Sequence, residues 1–339
     1  MKKGVKIALL LLLSVLFLAC RKEGGGKDVT VIFATTTGLV GDGYNEPIIN
    51  AVMECVSAQP GITPHLLKPD NLAEARTHFN EWMASADESK VLVLCGPEFE
   101  PLVEGVTLER GRILLLDSDK SYGDGISTVL LKRYGGAWLA GALMKDFRLL
   151  LLKGLDGDRI IDATSQGIED GYKENGGADF QKYVLSIGYD GLDMADELCS
   201  ILWDRKGVEL PSDPTEGLIV PVCGTSRLGA FSFSNTWFYA TVGVGDESSA
   251  YTDNLPFSLV MDLGGILKEY VLQWAQGSPW PAHADFGMST GHVSISFNER
   301  FFNHVLGKLE DWPVSLNQWV ALESEYRDKA LEKEAGHAN

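Results

Sequence analysis

From Val29 onward the apolar residues fall into two alternating rhythms. Short runs at Val29–Ala34, Gly61–Leu67, Val91–Cys95 and Arg112–Asp117 predict strands, and between them Asn45–Ala58, Leu72–Ala86 and Glu98–Thr107 carry apolar residues at helical spacing. Strands separated by helices imply right-handed crossovers and a parallel sheet. A second series follows, with helix Gly135–Phe147, strand Leu149–Leu152, helix Ala163–Asn175, strand Lys182–Ile187, helix Leu192–Asp204 and strands Gly217–Val222 and Thr241–Gly245. Two such series predict two similar lobes. Strand Phe257–Met261, helix Asp262–Gln276 and strand-like Val293–Phe297 are too few for a third domain and read as the chain crossing back between lobes, near Asp119–Asp124, Asp246–Asn254 and Phe286–His292. The Glu-, Lys- and Ala-rich tail after Trp319 predicts an exposed terminal helix.

The first residues follow a different pattern. Lys2, Lys3 and Lys6 precede an apolar run from Ile7 to Ala19, which is the order of a secretory signal. The run is short for a bilayer span, which takes roughly 20 residues. It ends Leu16-Phe17-Leu18-Ala19-Cys20, which resembles a lipobox: cleavage before the cysteine and a lipid on its thiol. Residues 1–19 are thus expected to be a signal peptide, Cys20 the lipidation site, and 20–27, with three glycines among charges, a flexible linker. The alternative is an uncleaved anchor or a cut elsewhere. The lipoprotein reading places the folded part in the cell envelope, outside the cytoplasm and tethered to a membrane.

Composition narrows the choices. About 310 residues remain after the linker, enough for two ordinary domains. Removing the three signal lysines takes the formal charge from −18 to −21. No basic surface for phosphates is visible, so a nucleic-acid partner is not expected. Beyond Cys20, Cys55, Cys95, Cys199 and Cys223 sit in apolar or helical contexts and read as buried thiols, with one disulfide as the alternative. Neither CxxC nor HxxxH spacing occurs, the six histidines show no metal pattern, and GxxxxGK[ST] is absent. No metal, cofactor or enzymatic activity is expected.

In open parallel sheets ligands bind beyond the carboxyl ends of strands. Those positions hold Thr35-Thr36-Thr37-Gly38 and Gly41-Asp42-Gly43-Tyr44-Asn45 after the first run, Cys95-Gly96-Pro97-Glu98-Phe99 after the third, and Asp117-Ser118-Asp119 after the fourth. Gly224-Thr225-Ser226-Arg227-Leu228-Gly229 and Asp246 close runs of the second series. Each alone reads as turn chemistry or a helix cap. Together, in both lobes, they point to a polar ligand held in a cleft.

Gly43-Tyr44-Asn45, Cys95-Gly96 with Phe99, Asp117, Gly135-Gly136-Ala137-Trp138-Leu139-Ala140-Gly141, Gly167-Ile168-Glu169-Asp170-Gly171-Tyr172 and Val242-Gly243-Val244-Gly245-Asp246 occur in an order that resembles the basic membrane lipoprotein family, which includes the purine nucleoside receptor lipoproteins. The similarity runs from about Val29 to Phe297. It implies a type I periplasmic-binding-protein fold, α/β with two Rossmann-like lobes, serving an ABC permease. The implied lobes are 28–120 with about 250–285, and 121–249 with about 286–320, leaving 321–339 as a tail. By position, Asp42 and Asn45 would hydrogen-bond a nucleobase with Tyr44 nearby, and Asp117 would accept from base nitrogens. Phe99, Tyr172 or Phe231 would stack on the base. Gly224 and Thr225 would approach the ribose, and Asp246 would accept its hydroxyls. Met261 stands where the family often has a lysine, and 152–158 lacks its usual glycine-rich turn. Three functions follow: nucleoside capture for import, a ligand-sensing or structural lipoprotein on the same fold, and an exported nucleoside hydrolase, which the absence of an acidic metal motif near Thr35–Thr37 disfavours.

Overall fold

The computed structural model describes residues 26–108, 110–185, 194–305 and 312–337. The signal and Cys20 lie outside these residues. The first series folds as strand β1 (Lys27–Ile32), helix α1 (Asn45–Ala58), β2 (Ile62–Leu67), α2 (Leu72–Ser85), β3 (Lys90–Cys95), a 3-10 turn Pro97–Phe99 running into the short α3 (Glu100–Val103), and β4 (Arg112–Leu116). A further strand, β5 (Ile126–Leu131), follows where the sequence reading placed none. The long helix expected over Glu98–Thr107 is confined to one turn, because Pro97 and Pro101 start it and Gly105, at φ +71°, cannot continue it.

These strands form one six-stranded parallel sheet in the order β12-β5-β4-β3-β1-β2, the edge strand β12 being His283–Phe286. Its strands β3, β4 and β5 are buried on both faces, so they read as continuous apolar runs rather than alternating ones. Phe79, Trp82, Phe99 and Leu102 fill one side. Ile48 and Val52 of α1 fill the other, against α8 (Leu263–Ala275).

The second series contains α4 (Tyr134–Leu143), β6 (Arg148–Lys153), α5 (Arg159–Glu174), β7 (Phe180–Val184), α6 (Ala195–Asp204), β8 (Gly217–Val222), α7 (Arg227–Trp237) and the short β9 (Ala240–Thr241) and β10 (Gly243–Gly245). Four strands form a parallel sheet, β7-β6-β8-β9. β10 pairs instead with β11 (Phe257–Met261), which pairs antiparallel with β13 (Val293–Phe297). The two glycine motifs of the resemblance meet here: a Cβ on Gly141 would come within 2.1 Å of the Ile168 carbonyl oxygen, and one on Gly171 within 1.9 Å of that of Trp138. Glycine lets α4 and α5 lie backbone to backbone.

The chain passes between the six-stranded sheet and the other two after β5, after β11 and between β12 and β13, and between the two smaller sheets after β9. The sequence boundaries at 120 and 250 fall before β5 and β11, each of which pairs with strands that precede its boundary. The last helix, α9 (Leu316–Gly336), corrects another expectation. It is not an exposed tail: it packs on α4, with Trp319, Ala330 and Glu334 buried. The Glu334 carboxylate accepts from the backbone N–H of Met288 (2.8 Å) and Ser289 (3.3 Å), and His337 stacks on Tyr134 at 3.7 Å. All four described cysteines are free thiols.

Candidate functional site

Carboxyl-end loops of the two sheets face each other across a cavity of about 290 Å³. From the first sheet come Ala34, Thr36, Thr37, Asp42, Gly43 and Tyr44 after β1, Gly96 to Glu98 after β3, and Arg133 after β5. From the other side come Gly157 to Ile161 at the start of α5, Pro221 to Gly224 at the end of β8, Arg227, Val244 and Gly245, with Met261 and Leu263 at a passage between sheets.

Asp42 stands two residues before the N-cap Tyr44 and turns the loop into α1: its carboxylate accepts from the N–H of Tyr44 and, at 2.9 Å, of Asn45, the first residue of the helix. Asp158 is itself the N-cap of α5, accepting from Ile160 (3.0 Å) and Ile161 (2.9 Å). Glu98 accepts from the Thr35 N–H and hydroxyl, both at 2.7 Å. Burial pushes Asp42 up to about 6 and raises Glu98 and Asp158 as well. Glu100, just outside the wall, behaves differently: burial pushes it up, but Lys120, Ser118 and Arg159 outweigh that and hold it below its usual range.

The site residues expected from sequence are brought to one region but not all to one surface. Asp42, Tyr44, Gly224 and Met261 line the cavity. Asn45 lies behind it, donating to the carbonyls of Gly38 (2.9 Å), Ala34 (3.3 Å) and Thr37 (3.4 Å), so it staples the loop. Phe99 belongs to the core of the first sheet. Tyr172 is buried, with its hydroxyl on the Phe147 carbonyl at 2.6 Å, and Phe231 stacks with Tyr251. Tyr44 is the aromatic residue of the lining.

The two strand-end aspartates hold arginines. Asp117 takes both terminal nitrogens of Arg133 (2.5 and 2.8 Å) and the Tyr44 hydroxyl (2.8 Å). Asp246 takes both of Arg227 (2.7 and 2.8 Å). The arginines form the wall, and the aspartates stand behind them. Arg133 and Asp158 are lining residues that sequence reasoning missed, whereas Arg227 and Glu98 stood in strand-end loops it singled out but were given no role. Arg133 lies two residues past β5, so finding that strand would have flagged it by the strand-end rule.

Several contacts join the two sides directly. The Thr37 and Thr225 hydroxyls lie 3.1 Å apart, the Gly38 N–H donates to Thr225 Oγ1 (3.0 Å), and the Thr225 N–H donates to Thr37 Oγ1 (3.1 Å). Arg227 Nε donates to the Gly41 carbonyl at 3.0 Å. Gly43 and Gly245 touch backbone to backbone, since a Cβ on Gly43 would lie 2.8 Å from the Gly245 Cα; Gly245 itself sits at φ +107°. Elsewhere Arg159 reaches Glu100 (3.1 Å), Asp119 (3.3 Å) and the Asp117 carbonyl. The cavity is therefore held in a closed arrangement.

The sequence matches no family model and no curated protein. Its architecture matches an ABC transporter system solute-binding protein from Aeropyrum pernix K1, at 14% identity over 91% of this chain and 90% of that one, with a TM-score of 0.68. A transcriptional activator of the comK gene from Bacillus halodurans matches at 13% identity over 89% and 98%, TM-score 0.61. An ABC transporter solute-binding protein from Agrobacterium vitis bound with α-D-tagatopyranose matches at 12% over 83% and 98%, TM-score 0.56. Such neighbours span transport and transcriptional regulation, so a shared fold does not by itself carry a function. The chain has the α/β, two-lobed type I periplasmic-binding-protein fold.

Proposed function

We propose that this protein is a lipid-tethered solute-binding protein that captures a small polar solute, a nucleoside, between its lobes and presents it to an ABC permease. The observation that carries the reading is the cavity of about 290 Å³ at the carboxyl ends of two sheets, sealed by hydrogen bonds between them. In this reading the first lobe is built on the six-stranded sheet and the second on the other two, and the three passages form a hinge, the usual device for closure around a ligand. Tyr44 offers a ring to a base, Asp42, Glu98 and Asp158 offer acceptors, and Gly224 lets a sugar approach the backbone. Asp117 and Asp246 act through the arginines they hold. Phe99 and Asn45 support the walls.

Among the described residues no helix is long and apolar enough to cross a membrane. In this reading attachment rests on Cys20, and Cys20→Ala is expected to leave the protein unprocessed or soluble. A variant still acylated and membrane-bound after cleavage refutes the tether. For the ligand, mass spectrometry of protein purified without ligand removal, followed by calorimetry with ribonucleosides and with glucose, tests the reading. No binding of any ribonucleoside at high micromolar concentration sinks it. Met261 in the wall, where the resemblance leads one to expect lysine, favours the second reading: a sensing or structural lipoprotein that holds another small solute and has no permease.

A further inference from the structure

Charge is distributed unevenly between the lining of the cavity and the shell behind it. Each lining arginine is already bound by carboxylates outside the lining: Arg133 by Asp117, Arg227 by Asp246, and Arg159 by Glu100 and Asp119. The lining carboxylates Asp42 and Asp158 accept backbone N–H bonds, and among the described residues no ion pair reaches them; Glu98, the third, accepts from Thr35 and has Lys68 near it. Arg227 lies near Asp42, as do the Thr37 hydroxyl and the Cys95 thiol. Arg133, Asp162 and Glu98 lie near Asp158. In both, burial outweighs the nearby cation and raises the carboxyl, whereas the ion-paired Glu100 is lowered. Negative charge thus faces the cavity without a direct ion pair, while the neighbouring arginines are taken by carboxylates behind the wall, an arrangement that costs stability unless something cationic enters.

We infer that the solute of this cavity carries a protonated nitrogen, seated between Asp42 and Asp158, with an apolar body against Ile160, Ile161, Val222 and Leu263. This rests on the proposed solute-binding role of the cavity and narrows its ligand to a small organic cation. Anionic relatives, such as phosphate esters, are excluded by the same charges. Specificity is then set where helices start: the carboxylate that leads into α1 and the one that caps α5 also select the ligand.

The test has an arm that needs no ligand. Asp42→Asn and Asp158→Asn keep the acceptors and remove the charge. Each is expected to raise the melting temperature of the empty protein at pH 7.5 by about 2–4 °C. For Asp42 the sign follows from its raised folded value: the native state holds the proton more tightly, so stability is gained as pH falls through about 6 and the Asn advantage shrinks there. The second arm measures binding by two triplets: adenosine, 5′-amino-5′-deoxyadenosine and AMP; glucose, glucosamine and glucose 6-phosphate. In the triplet that binds, the amine is expected to lead its neutral parent by about tenfold and the phosphate to be weakest. Lower melting temperatures for both variants, or a phosphate that binds best, overturn the inference. Binding confined to the sugar triplet with the amine leading refutes the nucleoside and keeps the charge rule. If neither triplet binds, the nucleoside fails and the melting temperatures alone decide the charge rule.

Discussion

Two sets of contacts close the cavity, and they differ in burial. In one, Thr37, Gly41 and Gly43 meet Thr225, Arg227 and Gly245 with almost no exposure of Thr37, Thr225 or Arg227. In the other, Arg159, 34% exposed, reaches Glu100 and the half-exposed Asp119. The buried set is specified by shape and by hydrogen bonds that water cannot replace, so a single atom too many or a partner too few is felt. The exposed set is electrostatic, screened by salt, and tolerant. Closure geometry is therefore written in the buried set, while the exposed one adjusts how readily the lobes meet.

The largest expected effect comes from Asp246→Ala, which leaves the Arg227 guanidinium buried without its carboxylate. Breaking a buried pair costs about 3–5 kcal/mol, and urea unfolding measures it. A loss below about 1 kcal/mol would show that Arg227 reaches water and that the set is not sealed. Next is Gly43→Ala. Its Cβ would stand 2.8 Å from the Gly245 Cα and the Val244 carbonyl oxygen, both backbone atoms that cannot swing aside. The variant is expected to hold the lobes ajar, with a larger radius of gyration by solution scattering and solute affinity lower by about tenfold or more. Unchanged scattering and affinity would mean that this contact is not part of closure. Smallest is Arg159→Ala, worth about 1 kcal/mol or less in closure and shrinking further as salt is added, as double titrations at two ionic strengths would show. A large, salt-independent loss would reverse the ranking of the two sets.

How much of this was legible in the sequence differs by element. Asn45–Ala58 has the bounds expected of it, because its apolar positions recur at helical spacing and Asp42 marks its start. β5 was missed because the polar run Asp117 to Asp124 and Gly125 masks it, and because a strand buried on both faces shows no alternation. α7 is rich in Gly, Ser, Thr and Asn, poor helix formers that packing overrides. The two-lobed fold was readable from the series of strands and helices. The site was readable only as a neighbourhood. Strand-end aspartates and glycine loops were found at Asp117, Asp246 and Gly224, yet a sequence does not say which side chain a carboxylate will face. Asp117 and Asp246 pair with Arg133 and Arg227, which stand in the lining in front of them.

The terminal helix α9 couples the end of the chain to its moving parts. Glu334 grips the passage between β12 and β13, and His337 lies flat on Tyr134, just past the passage after β5. The passages after β5 and between β12 and β13 are thus both held by the end of α9 and the residue that follows it. A fusion partner or affinity tag appended to the carboxyl end would pull on both contacts. Proteolytic trimming back to Pro313 would remove α9 together with the buried Trp319 and Ala330 and uncover the core that the helix closes. A change at that end of the helix therefore acts on the fold itself and not on a free appendage.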